Sequence, residues 1–399
     1  MPYYIGDVIK DKQELIVRTP EEFKKSGIDV MLRTAVDGVD PAKGTVSLST
    51  GQALPYDVLV LATGAEAVWP GIPGQDLEGV FPLKNLTDGL RLKSFIETAR
   101  CKKAVIIGGG FIAMEMSEAF RSRGMDVKVM DILPAPAARW SGELGLFILE
   151  ELRSNSVEFL PETRPFSIEP GLQCRLRVKT SRGDLEADVV LVAIGVRGTV
   201  GLAESIGVKK GETGAVQVNF SQKTSHDNIY AVGECCEVFN RVSRRWIYAP
   251  LGDVANKQGR IAGQNIGGTP GVFPGVVGSQ SFKLFGLEVA TTGLTEAEAI
   301  KNGFAPVSEF IWGLPVARQL SRGEKLGLKM IADRSTGRLL GAQCVAVEGA
   351  VKRIDTLAVA LWNEMNVGEV GYLDLAYSPF YGGAWDPIHI AAQNIARKL

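Results

Sequence analysis

The chain has 399 residues, more than one hydrophobic core ordinarily supports, so two or three domains are expected. Its 44 basic and 45 acidic side chains nearly cancel, which removes the field of a nucleic-acid binder and favours a small, neutral partner. Apolar residues make up 45%, yet the longest apolar runs, such as Val189 to Val196, are far short of a membrane span, and the start MPYYIGDVIKDKQEL lacks the pattern of a signal peptide; a cytoplasmic protein with no membrane contact is expected.

In chain order, Thr19-Pro20-Glu21-Glu22 opens a short helix: a hydroxyl cap, proline at the first helical position and early acids. IDVML (residues 28–32) follows as a strand, then a hairpin turning at Thr50-Gly51, then YDVLVLATG ending in Gly64.

CKKAVIIGGGFIAMEMSEAF carries the strongest local pattern. Lys103 to Ile107 is a strand, Gly108-x-Gly110-x-x-Ala113 a tight turn, and a helix runs to about Arg123. That order suits a dinucleotide: Gly108 allows the turn, Gly110 lets backbone approach a pyrophosphate, and Ala113 keeps helix and strand close. Phe111 and Ile112 inside the motif join the candidate NAD-binding residues, and Glu115 stands where it can contact a nicotinamide or be only a solvated first-turn carboxylate. A second strand, Asp126 to Met130, ends at Asp131, 21 residues beyond Gly110, the place of an acid that accepts from the adenosine ribose.

Beyond it come a helix from about Ser141 to Ser154, a strand SVEFL, a hairpin turning at Arg182-Gly183, and the buried strand ADVVLVAIG ending in Gly195, a further candidate for NAD. Cys174, Leu176 and Val178 alternate with Arg175, Arg177 and Lys179, the period of a half-buried strand. The first hundred residues repeat this second layout, which points to two nucleotide-binding domains. Gly108 precedes Gly195 by 87 residues, so the counterpart of Gly108 in the first copy falls at position −23, and that copy is expected to lack its own strand, glycine loop and helix; a β-rich module that never had the loop is the alternative.

Scarce residues exclude other chemistries. His226, in the turn-like TSHDN, and His389, in the apparently helical DPIHIAAQNIARKL, are too few for a histidine metal site, and no metal is expected. Cys101, Cys174, Cys235, Cys236 and Cys344 form no CxxC; the adjacent Cys235 and Cys236 are read as core packing. Near the C-terminus Ile354, Leu357, Leu361 and Met365 give one apolar helix face.

PYYIG, LATGA followed by IPG, GGGFIAME, LVAIGVR, TSHDNIYAVGE, PLGDVANKQGRIAGQNI, LGAQCV and DLAYSPFYGGAWDP occur in that order, and the whole chain resembles the pyridine nucleotide-disulfide oxidoreductases, specifically the single-cysteine branch of coenzyme A disulfide reductases, NADH oxidases, NADH peroxidases and persulfide reductases. The resemblance implies an α/β fold of tandem Rossmann-like FAD and NAD domains, the first incomplete, with a C-terminal α+β dimerisation domain. Residues 1–95 and 215–275 would form the FAD domain, 96–214 the NAD domain and 276–399 the interface of a homodimer. It implies NADH and FAD as cofactors and a small disulfide or persulfide, such as coenzyme A disulfide, as substrate; NADH oxidase or peroxidase action, or a flavin-free NAD-binding paralogue, are the alternatives. FAD would touch Ala62, Thr63, Gly64, Gly233, Glu234, Leu251 and Ala255, with Glu234 standing where the family usually has Asp. The redox cysteine would fall just upstream of Met1, so the chain as written is expected not to turn over disulfides. The segment from Ala376 to Asp386 would reach the partner's active site, with Tyr377 or Tyr381 stabilising a leaving thiolate, or packing with Phe380 and Trp385. Asp131, with no arginine among residues 132–136, favours NADH over NADPH.

Overall fold

The computed structural model describes residues 1–140 and 142–399. A five-stranded parallel sheet runs in the spatial order Val80–Pro82, Val189–Val192, Lys103–Ile107, Asp126–Met130, Val157–Leu160. Val189–Val192 is buried at every position, because both faces of such a sheet are covered and the side chains have no reason to alternate. Helices Leu86–Ala99, Phe111–Ser122 and Glu143–Ser154 cover one face, placing Leu92, Met114, Phe120 and Ile148 in a shared core. The antiparallel sheet Pro165–Pro170, Leu176–Thr180, Gly183–Ala187 covers the other through Ile168, Leu176 and Val178. The helix expected from about Ser141 begins at Glu143, and Ser141 itself lies outside the described residues. The expected domain boundary between residues 95 and 96 falls inside Leu86–Ala99; Val80–Pro82 already hydrogen-bonds to Val189–Val192, so this packing unit begins near Val80.

The first copy of the layout is smaller. Helix Pro20–Lys25 forms with a reciprocal cap: Glu22 N donates to Thr19 Oγ1 at 3.3 Å and Thr19 N donates to Glu22 Oε2 at 2.7 Å. Val36–Asp40, Thr45–Leu48 and Ala53–Pro55 make an antiparallel sheet, and Leu59–Leu61 pairs in parallel with Ile229–Ala231. IDVML corrects the expectation of a strand: residues 28–32 are exposed and pair with no strand, Ile28 N donating to Phe23 O and Leu32 O accepting from Thr34 Oγ1 instead. An unanticipated helix, Pro2–Ile5, docks on the neighbouring helices. Lys93 Nζ donates to Tyr4 O at 2.9 Å and pairs with Asp7 at 2.7 Å, while Arg123 reaches Ile5 O, Asp7 and Glu97.

The C-terminal third is a five-stranded antiparallel sheet in the order Gln280–Leu284, Leu287–Gly293, Leu339–Ala346, Leu326–Asp333, Pro306–Gly313. Helices Ala350–Trp362 and Pro387–Ala396 pack on it; Ile354, Leu357 and Leu361 are buried there and Met365 packs against them. Trp140 Nε1 donates to Ala290 O at 3.0 Å, and Gln343 Nε2 donates to Arg139 O at 2.6 Å, tying this sheet to the parallel one. Among the described residues no helix is long and apolar enough to cross a membrane.

Candidate functional site

The turn after Lys103–Ile107 is shaped by what it excludes. Gly108 has φ +106°, and a Cβ there would stand 2.4 Å from Ala193 O. A Cβ on Gly109 would stand 2.9 Å from Asp131 Oδ2, which instead accepts from Gly109 N at 2.5 Å, while Asp131 Oδ1 accepts from Leu133 N at 2.8 Å. Asp131 is thereby fixed against the loop, with each oxygen retaining acceptor capacity. Gly110 caps helix Phe111–Ser122 without a side chain, and nothing lies within 4 Å of where its Cβ would be, so the first-turn N–H groups face open space. Ala113 is fully buried against the sheet, Ile112 half-buried and Phe111 exposed. Gly195 (φ +114°) follows the carbonyl that crowds Gly108 and leaves its own outer side open. Half-buried Glu115 accepts from Tyr3 Oη at 3.3 Å; burial raises its carboxyl above the ordinary value, and the tyrosine contact acts in the opposite direction.

A second cradle lies where the strands Leu59–Leu61 and Ile229–Ala231 end. Gly64 (φ +67°) and Gly233 (φ +80°) turn the two chains, and a Cβ on Gly64 would lie 4.0 Å from Glu234 Oε2. Thr63 Oγ1 donates to Thr199 O at 2.6 Å, which turns the Ala62–Gly64 stretch beside the Val196–Gly198 strand. Lys84 Nζ donates to Glu234 Oε2 at 2.6 Å, so Glu234 carries a paired negative charge at the mouth of the cradle. Helix Gly252–Ile266 begins beside it with Leu251 at its N-cap and no side chain closing its first turn; Ala255 lies against Gly233. Cys235 and Cys236 are buried beneath the turn. Hydrogen bonding from Cys236 lowers the Cys235 thiol below its usual range, and the same contact together with burial pushes Cys236 up.

The two clusters meet. A cavity of about 290 Å³ is lined by Phe111 from the glycine loop and Leu251 from the second cradle, with Trp140 and Phe282 among its walls, and none of the five cysteines lines it. Tyr377 and Tyr381 do not line it; both are exposed on the C-terminal domain. His389 is a packing residue: Asp386 N donates to its Nδ1 at 3.2 Å, which leaves Nε2 as donor to Leu373 O at 2.9 Å. His226 shapes its turn, donating from N to Thr224 Oγ1.

Three residues near these clusters escape the sequence reading. Lys84 meets Glu234 across 150 positions, and no local pattern pairs them. Tyr3 meets Glu115 across 112, its only sequence signal being its place in PYYIG. Tyr248 has a buried hydroxyl with no partner among the described residues; burial, with Glu234 and the two cysteines nearby, pushes it up to about 12.

Comparison with known proteins places this geometry. Residues 3–259 match the model of the family described as pyridine nucleotide-disulphide oxidoreductase, and residues 279–386 match the dimerisation domain of the same family. A CoA-dependent NAD(P)H sulfur oxidoreductase of Pyrococcus furiosus is 35% identical over 98% of this chain and 88% of its own length. An NADH oxidase of Methanocaldococcus jannaschii is 32% identical over 100% of this chain and 90% of its own length. The solved structure of an NAD-dependent persulfide reductase from A. fulgidus superposes with a TM-score of 0.95 at 35% identity, over 100% of this chain and 75% of that one.

Proposed function

The chain belongs to the pyridine nucleotide-disulphide oxidoreductases, and from that premise we propose that it is a FAD-dependent enzyme that uses NADH to reduce a small disulfide or persulfide of the coenzyme A class. The observation that carries this reading is the cavity shared by Phe111 and Leu251, because it gives a glycine-loop nucleotide and a second nucleotide a common meeting point. A bound flavin supplies the conversion of a two-electron hydride into electrons delivered to sulfur.

This chain's residues do the binding and orienting. Gly108 and Gly110 admit a pyrophosphate to the helix N-terminus, Asp131 accepts from a ribose, and Phe111, Ile112, Glu115 and Gly195 border the path to the nicotinamide. Ala62, Thr63, Gly64, Gly233, Leu251 and Ala255 fit the ring-and-ribityl half of a flavin, since both glycines leave their outer sides uncrowded and the helix at Leu251 offers uncapped N–H groups. Glu234, held by Lys84, is the acceptor for ribityl hydroxyls. Tyr377 and Tyr381 are the donors toward a departing thiolate, contributed by the second subunit of a homodimer.

NADH is preferred over NADPH. Asp131 repels a 2′-phosphate, and the first basic residue downstream, Arg139, is committed to Glu298 at 2.8 Å and to Gly293 O at 2.7 Å. Replacing Asp131 by Ala narrows the preference.

The test is to purify the protein, record its visible flavin band, and follow NADH consumption anaerobically and in air with coenzyme A disulfide or persulfide. Sulfur-dependent oxidation without oxygen uptake is expected of a protein that supplies a redox cysteine beside the flavin, since none of the five cysteines of residues 1–399 lines that cavity. Oxygen uptake matching NADH loss without a sulfur substrate would replace the reading with an oxidase, and NADH binding with neither flavin nor turnover would replace it with a binding protein.

A further inference from the structure

The segment between Tyr372 and Trp385 has an unusual construction. It contains no helix or strand, and the side chains of Tyr372, Tyr377, Phe380, Tyr381 and Trp385 are all more than half exposed. Its two ends are held by Leu373 and Leu375 against the core and by Trp385 against Tyr372 and His389, but burial of Tyr377, Phe380 and Tyr381 does not fix the stretch between them. Arg353, on helix Ala350–Trp362, is 1% exposed and is the bulkiest of the fully buried side chains. Its Nε donates to Asp386 Oδ1 at 3.1 Å and its Nη2 to Asp386 Oδ2 at 2.9 Å, a paired contact at the end of the aromatic segment. Nη1 donates to Gly349 O at 2.9 Å and Nη2 also to Pro315 O at 3.4 Å, so one guanidinium ties together three stretches of chain.

The segment folds onto this ion pair. Gly382 passes so close that a Cβ would lie 3.3 Å from Asp386 Oδ2 and 3.5 Å from Arg353 Nη2. Pro379 O accepts from Ala317 N at 2.8 Å, joining the segment to the same loop whose Pro315 carbonyl Arg353 holds. Lys352 Nζ, one residue before Arg353, donates to Tyr381 O at 3.2 Å. Asp386 also caps helix Pro387–Ala396, accepting from Ile388 N at 3.0 Å, so its position is set from both sides. A buried pair of this kind is weak evidence for stability, because desolvating both charges offsets most of their attraction. Leu373 and Leu375 anchor the start of the segment on the C-terminal core, and what the pair supplies is a fixed place for the exposed stretch from Ala376 to Asp386.

We propose that Arg353, acting through Asp386, is the positioning residue that sets where Tyr377 and Tyr381 stand when this face meets the sulfur substrate. The inference rests on the functional reading above for the role of the tyrosines, and adds a residue that touches neither substrate nor cofactor.

Five proteins test it: wild type, Arg353→Met, Tyr377→Phe/Tyr381→Phe, the triple variant, and Asp386→Asn, which keeps the helix cap and shape and guards against a fold failure in Arg353→Met. Turnover with coenzyme A disulfide, NADH oxidation by a one-electron dye acceptor, and hydrogen exchange of the amides in residues 376–386 are measured on each. In Arg353→Met and in Asp386→Asn, kcat for the disulfide falls at least tenfold while dye reduction and the KM for NADH stay within twofold, and the amides lose protection. The arginine substitution costs nothing more once the tyrosines are gone. An Arg353 effect that multiplies with the tyrosine effect, or unchanged exchange in both Arg353→Met and Asp386→Asn, would overturn the inference while leaving the functional reading intact. Full disulfide turnover by the double phenylalanine variant would overturn the tyrosine assignment and the inference with it.

Discussion

At Gly108 and Gly110 the same substitution has two different consequences, which separates folding from binding. Gly108 combines φ +106° with a carbonyl 2.4 Å from any Cβ, so Gly108→Ala strains the turn and costs about 1–3 kcal/mol. Gly110 has ordinary extended geometry and open space around it, so Gly110→Ala folds normally. On the proposed reading its new methyl group stands where a pyrophosphate approaches the backbone, so NADH affinity is expected to fall at least tenfold. Thermal melts and NADH titration of both variants check this; a Gly110→Ala protein that binds NADH as wild type does would remove the loop from the site. Glu115 gives a pH signature of the same site. Burial raises its carboxyl, so the folded state holds the proton through a window above the ordinary carboxylate range, and stability falls as pH rises through that window. Tyr3 pulls the carboxyl the other way, so in Tyr3→Phe the loss extends to higher pH and deepens, whereas Glu115→Gln abolishes it. Melting temperature against pH for the three proteins shows this, and identical profiles would refute it.

At the scale of elements, legibility followed from whether a pattern was complete within a short window. Lys103–Ile107 and Asp126–Met130 match their expected bounds because an apolar run, a glycine turn and a helix constrain one another within thirty residues. Pro20–Lys25 was legible for the same reason, its capping box lying entirely in four residues. IDVML had the apolar composition of a strand, but a strand also needs a neighbour, and neighbours come from the tertiary fold. Pro2–Ile5 is the converse case: four residues are too short to be helical alone, and Lys93 from one helix and Arg123 just past the end of another hold them. In the candidate site the glycines and Asp131 were readable because backbone demands leave local marks. Lys84 with Glu234, and Arg353 with Asp386, were not, since an ion pair between distant positions imposes no periodicity on either.

The whole molecule leaves one large apolar account open, and it lies far along the chain from the nucleotide loop. Tyr372, Tyr377, Phe380, Tyr381 and Trp385 are 75%, 61%, 68%, 67% and 55% exposed, which at roughly 150–250 Å² per aromatic side chain leaves on the order of 600 Å² uncovered. One side of a stable interface buries about 800 Å², so this segment supplies most of what a two-fold pairing needs, and it falls within residues that match a dimerisation domain. Light scattering at tens of micromolar is therefore expected to give the mass of two chains. Phe380→Glu combined with Trp385→Glu places two charges in that face and weakens pairing more than tenfold, because each must be desolvated without a partner. The Gly108 loop belongs wholly to one subunit, so the resulting monomer binds NADH within twofold of wild type. If Tyr377 and Tyr381 act across the pairing, as proposed above, the same monomer loses turnover of the sulfur substrate. A wild-type monomer under these conditions, or a charged variant that is monomeric and still fully active, would show that each chain completes its site alone.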